Sequence, residues 1–249
     1  MGAATGGPHR RHRILAGVVL SLAVTSSTSV VGVAIGSIGS VTGGSSTSAD
    51  QIDVLACNQV LTDRRHAEEL TPLLERTLSE AGVGLNEVEL FVVDVGPGRF
   101  TGLRVGLATV RTLALATGAP VVGLSSLEVL AWAEPARPVV AVVDARRAEV
   151  FQQRFNEGHV PSGPPVVGSP EELSALAAGA TVVGDGADRY AALYEASVGA
   201  TIIADRVPSA AAMLEVAVGR EAQPGPAVTP LYLRDPDVNV NIKTRHTPR

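Results

Sequence analysis

Apolar and polar positions change period several times along this chain. Leu20, Leu22 and Val24 alternate with smaller residues, and Val31, Val33 and Ile35 do so again. A period of two sends alternate side chains to opposite faces of a strand, so strands are expected over 18–25 and 30–36. The hydroxyl-rich run 26–29 separates them as a turn. A third strand is expected over 51–60. From 63 to 81 the spacing becomes helical, with Leu70, Leu73, Leu74, Thr77 and Leu78 on one face. Pro72 either kinks that helix or makes it restart with Thr71 as its cap, and Gly82 ends it. Residues 90–95 form a nearly continuous apolar strand that runs into Gly96-Pro97-Gly98. The stretch 103–117 is then helical and closes at Gly118. Further strands are expected at 120–124, 138–143, 147–155 and 181–184. Further helices are expected at 126–133, 170–178, 187–196 and 209–219, with a loop over 158–170.

Alternating strands and helices predict an α/β sheet with helices on its faces. Both halves open with strand, short turn, strand, at 20–36 and at 138–155. That repetition suggests a duplicated, two-lobed chain.

Composition narrows the class. The chain has 249 residues, 45% of them apolar and 18% charged, with a net charge of −5. It suits one large domain or two of about 100–120 residues, and excludes a disordered chain or a coiled coil. The acidic balance excludes a strongly basic nucleic-acid surface over the whole protein. Cys57 is the single cysteine, which rules out an internal disulfide and a cysteine-rich zinc site. Among His9, His12, His66, His159 and His246, only His9 and His12 are close in sequence, and they sit in a terminal stretch.

The N-terminus offers a rival reading. A basic segment precedes an apolar run, and 14–49 carries no charge, as in a secretory signal or a membrane span. Its short β-branched pieces, cut by Ser, Thr and Gly, fit strands of a buried sheet better. Residues 1–17 are therefore read as a disordered or mis-assigned extension, the protein as cytoplasmic and free of membrane, and 234–249 as a loose tail.

Several motifs could carry chemistry. Gly96-Pro97-Gly98, leading through Thr101-Gly102 into a helix, reads as an anion-contacting loop or as a tight turn capped by Thr101. No lysine stands in the Walker position, so a P-loop is not expected. Two apolar helices, 63–81 and 102–117, could leave a surface for a partner. Arg104 and Arg111 lie near one face of the second. His66 with Glu68 and Glu69 reads as a helix start before it reads as an acid–base site. Asp144-Ala145-Arg146 ends a strand, where functional carboxylates often sit in α/β folds. Gly184-Asp185-Gly186 is a turn first and a ligand contact second. No Gly-x-Ser-x-Gly nucleophile elbow occurs.

Taken in order, these pieces resemble the TsaB (YeaZ) family of the bacterial system that makes threonylcarbamoyladenosine on tRNA. The resemblance rests on Gly96-Pro97-Gly98-Arg99-Phe100-Thr101-Gly102-Leu103-Arg104 and on His66-Ala67-Glu68. It also rests on Val122-Gly123-Leu124-Ser125-Ser126-Leu127-Glu128 and on Val143-Asp144-Ala145-Arg146-Arg147-Ala148-Glu149-Val150-Phe151. Val183-Gly184-Asp185-Gly186 and Leu231-Tyr232-Leu233-Arg234 complete it, so it covers about residues 20–235.

The resemblance implies an α/β, two-lobed actin-like fold (ASKHA, ribonuclease H-like) with duplicated mixed sheets flanked by helices. Lobes are expected at 18–119 and 120–233. It implies a non-catalytic subunit that pairs with TsaD and is joined by the ATPase TsaE, meets tRNA only through that complex, and forms a homodimer when alone. No cofactor or metal is expected. TsaD carries a His-x-x-x-His pair where this chain has Ser126 and Leu130, which cannot ligate as two imidazoles do. The family's Asp-Thr-Ser-Thr is here Thr25-Ser26-Ser27-Thr28, so the carboxylate that organises a metal in actin-like ATPases is missing from that position. Arg99 replaces the usual Ser.

The partner interface is assigned to His66, Leu70, Leu73, Leu74, Thr77, Leu103, Arg104, Leu107, Val110 and Arg111. Nucleotide or anion contacts are assigned to Thr25, Ser26, Gly96, Gly98, Thr101, Asp144, Gly184 and Gly186. The alternative function is an actin-like enzyme: an ATPase, a kinase or a glycoprotease-type hydrolase.

Overall fold

Alternation in the first apolar run is realised as buried strands. In the computed structural model, which describes residues 18–39, 52–62, 64–134 and 138–234, β1 (Val18–Thr25) and β2 (Val30–Gly39) pair antiparallel. Leu22 and Val24 face one core and Ala23 the opposite one. These residues are strands of a sheet, so the signal or span reading fails for 18–39. The expectations for 1–17 and for 235–249 lie outside the described residues. Among the described residues, no helix is long and apolar enough to cross a membrane.

Two five-stranded mixed sheets form, and the second repeats the first. β3 (Ile52–Leu61), β4 (Leu90–Gly96) and β5 (Val121–Ser125) complete sheet one, in the order β3-β2-β1-β4-β5. The first three strands are antiparallel, and β4 and β5 are parallel to β1. Sheet two holds β6 (Val139–Arg146), β7 (Glu149–Phe155), β8 (Val166–Gly168), β9 (Thr181–Val183) and β10 (Thr201–Ile203), in the order β10-β9-β6-β7-β8. Again three strands are antiparallel and two are parallel to the first. The suspected duplication is therefore a repeat of order and direction, and the fold is the two-lobed α/β arrangement expected.

Helices α1 (His66–Ala81) and α2 (Phe100–Thr117) cover one face of sheet one. α1 runs unbroken through Pro72, whose missing N–H falls on the exposed side, so neither Thr71 capping nor a restart occurs. Gly82 and Gly118 end the two helices in left-handed conformations, as expected. In lobe two, α4 (Pro170–Leu173), α5 (Asp185–Arg189) and α6 (Ala191–Glu195) replace longer expected helices. The loop expected over 158–170 contains β8.

α3 (Ser126–Trp132) and α7 (Ala210–Val216) lie between the lobes and are exchanged. α3 follows sheet one, yet Leu127, Leu130 and Ala131 pack on sheet two, while Val129 joins the core of lobe one. α7 follows sheet two, yet Ala210, Met213 and Leu214 pack on sheet one. The boundary expected at 119/120 is corrected accordingly. β5 hydrogen-bonds to β4, and α7 returns to the first lobe, so no single cut separates the two cores.

Leu130 is fully enclosed between α3 and sheet two and abuts Gly184. Leu130→Ala is expected to leave a cavity and cost about 2–5 kcal/mol, as buried leucine truncations do. Urea unfolding checks this, and a loss below about 1 kcal/mol would show that the inter-lobe layer is loosely packed.

Candidate functional site

The ends of β1 and β4 meet the start of α3 around one carboxylate. Asp94 is 1% exposed, and each of its oxygens accepts two hydrogen bonds. Oδ2 accepts from Thr25 Oγ1 at 2.9 Å and from Ser27 Oγ. Oδ1 accepts from the Gly96 amide at 2.8 Å and from Ser126 Oγ at 2.6 Å. Ser126 Oγ also lies 3.0 Å from Ser27 Oγ. A buried charge needs such a complete set of donors, or it costs several kcal/mol. The carboxylate missing from the Thr25 position is thus met from the neighbouring strand, and Thr25 serves it as a donor. Asp94, Ser27 and Ser126 were not among the expected anion contacts. An aspartate inside an otherwise apolar strand was the available signal.

The glycine turn packs tightly on the segment after β1. The Arg99 amide donates to the Ser27 carbonyl at 2.6 Å. A Cβ on Gly98 would lie 2.3 Å from that carbonyl oxygen, and one on Gly102 would lie 2.2 Å from the Ser26 oxygen. Those glycines therefore serve close backbone approach. Ser26 Oγ donates to the Gly102 carbonyl at 2.9 Å. α2 begins at Phe100 with Arg99 before it, so Thr101 is an exposed first-turn residue and not the cap.

The expected anion contacts therefore split among four places. Thr25 and Gly96 belong to the Asp94 cage, and Ser26 fastens α2. Gly98 and Asp144 line a cleft between the lobes, whereas Gly184 and Gly186 press against the backbone of β6. Asp144 accepts from the Arg146 amide at 2.9 Å and pairs with Arg189 at 3.4 Å and Arg146 at 3.7 Å. Asp185 accepts from the Asp144 amide at 2.9 Å. Burial pushes the Asp185 carboxyl up, against that hydrogen bond and the nearby Arg99 and Arg146.

The expected interface residues are mostly interior. Leu70, Leu73, Leu74, Leu103, Leu107 and Val110 are all buried. All but Leu103 join the core between the two helices and sheet one. Their helical spacing marks the face turned to the sheet, and this corrects their assignment to a partner interface. His66 is buried, with Nε2 2.8 Å from the Thr28 carbonyl oxygen. Thr77 is buried and donates to the Leu73 carbonyl at 2.7 Å. Arg111 donates to the Val228 carbonyl through Nε at 3.0 Å. Arg104 is exposed, 3.8 Å above the Phe100 ring, and donates to the Tyr232 hydroxyl at 3.1 Å.

The cleft, of about 350 Å³, is enclosed by 97–100 and Leu103 of lobe one, by 144–147 and Phe151 of lobe two, and by 231–234. The Leu231 amide donates to the Val95 carbonyl at 2.7 Å, which ties the last segment to sheet one.

The family of TsaD, tRNA N6-adenosine threonylcarbamoyltransferase, matches residues 59–160. An uncharacterized protein of Mycobacterium tuberculosis is 34% identical over 174 residues, which are 70% of this chain and 77% of that protein. The tRNA threonylcarbamoyladenosine biosynthesis protein TsaB of Haemophilus influenzae is 38% identical over 95 residues, 36% of this chain. The matched stretch spans only 40% of that H. influenzae protein and 35% of an uncharacterized Mycobacterium leprae relative. The solved structure of YeaZ from Pseudomonas aeruginosa superposes with a TM-score of 0.69 at 27% identity. It covers 86% of this chain and 100% of that one.

Asp94→Ala strands four buried donors and is expected to cost about 3 kcal/mol or more in urea unfolding; a loss under about 1 kcal/mol would mean that the cage holds nothing together. The raised Asp185 contributes stability that is full below its unfolded value and is lost as pH rises through its folded one. Asp185→Asn is therefore expected to gain thermal stability over the parent from acid to neutral pH. A constant difference across that range would contradict the buried carboxylate.

Proposed function

The chain belongs to the TsaB (YeaZ) family, and from that we propose that it takes part in threonylcarbamoyladenosine synthesis on tRNA as a non-catalytic subunit. In this reading it pairs with TsaD, is joined by TsaE, and forms a homodimer when alone. The observation that carries the reading is the match of the duplicated fold to the whole YeaZ chain. It is supported by the alignment to a protein whose name places it in that biosynthesis.

The positions that would carry chemistry in a related enzyme are committed to packing here. Ser126 donates to Asp94, and Leu130 fills the inter-lobe core. Net charge of −5 supports a role in which tRNA is held mainly by other subunits.

With its leucines turned inward, the α1–α2 layer offers a partner its outward positions. Leu115 is 77% exposed, and Phe100, Arg104, Thr71 and Glu75 are exposed as well. A large apolar side chain left in water at the end of a packed helix pair suits a protein interface.

Depletion of this protein in its own cell is expected to lower threonylcarbamoyladenosine in tRNA, measured by mass spectrometry of nucleosides; an unchanged level overturns the reading. Leu115→Asp is expected to weaken binding to TsaD by about tenfold or more, or ~1.4 kcal/mol, without changing the unfolding midpoint. Unaltered affinity would move the interface off this face.

A further inference from the structure

The inter-lobe cleft has the features of a small-molecule site. Its volume, about 350 Å³, lies within the range of sites that enclose small ligands. Its floor is apolar, built from Pro97, Leu103, Phe151 and Leu231. Its rim is cationic: Arg99 comes from the glycine turn, Arg146 and Arg147 from the β6–β7 hairpin, and Arg234 from the last described segment. Three separate stretches of chain thus bring guanidinium groups to one opening in a protein whose net charge is negative.

These arginines are held in place. Arg146 pairs with Asp144 at 3.7 Å, and Arg234 pairs with Glu149. Asp185 lies in the field of both Arg99 and Arg146. Such counter-charges preorganise the rim. The hairpin adds a second indication. Arg146, Arg147 and Ala148 take φ of 63°, 56° and 59°, left-handed values that side-chain-bearing residues adopt at a cost. That strained turn is what carries Arg146 and Arg147 to the opening.

We propose that this cleft binds a small organic acid with a single carboxylate and an apolar, flat or branched body. The body lies on Pro97, Leu103 and Phe151, and the carboxylate meets the arginine rim, whose planar forks match its geometry. This site adjoins the partner surface on α1 and α2, with Phe100 common to both, and the proposal stands without the tRNA reading.

Ligand-observed NMR and calorimetry on the full chain test it, with phenylacetate and isovalerate as probes. Phenylacetamide, the neutral counterpart, and phenyl phosphate, the doubly charged one, serve as comparisons. Saturable binding of phenylacetate is expected, at least tenfold tighter than phenylacetamide and no weaker than phenyl phosphate. Leu233→Trp, which fills the cleft, and Arg99→Ser, which removes one rim charge from a surface turn, should each weaken it at least fivefold. Arg76→Ala, on the outer side of α1, should not change it. Circular dichroism confirms that each variant is folded, and either cleft variant alone suffices. Equal binding of the amide, tighter binding of the phosphate, unchanged affinity in a folded cleft variant, or no binding by either acid would each overturn the proposal.

Discussion

A carboxylate almost fully removed from water has to be met by donors on every side, and Asp94 is where this chain meets that demand. Its four donors come from the end of β1, the segment after it, the glycine turn and the first residue of α3. Holding those four pieces fixes the direction in which the chain leaves sheet one. The turn at 96–99 is set against Ser27, α2 starts from it, and α3 departs toward the second sheet. Everything that borders the cleft on the side of lobe one inherits its position from this cage.

The exchanged helices carry that order across the molecule. α3 buries Leu127 and Leu130 in the second lobe, and α7 buries Met213 and Leu214 in the first. Each sheet therefore depends on a helix that the other sheet supplies, and separating the lobes would strip apolar area from both. Such a body suits a subunit that presents surfaces in a set arrangement. The same packing occupies Ser126 and Leu130, the two positions at which the resemblance to a catalytic relative would place metal ligands.

Much of this was legible in the order of residues, because buried strands leave either a two-residue period or a continuous apolar run in the chain. β1 and β2 show the first, β4 and β6 the second, and Gly82 and Gly118 mark helix ends at the residues expected. β8 and β10 are three residues each and leave no period to read. The leucines of α1 and α2 were legible as one face, but helical spacing does not say whether a face meets its own sheet or another protein. Asp94 escaped notice because its three side-chain partners lie 32 to 69 residues away and become neighbours only when the sheet forms. The exchange of α3 and α7 has no local signal at all, since it depends on which core each apolar stripe reaches.

Hydrogen–deuterium exchange of the full chain, alone and with TsaD of the same organism, tests most directly whether the outer face of α1 and α2 is the working surface of this rigid body. Added protection confined to 66–81 and 100–117, with the peptides holding Asp94 and Ser126 equally protected in both states, is the expected result. Protection that appears only on lobe two, or no change on adding TsaD, would contradict it.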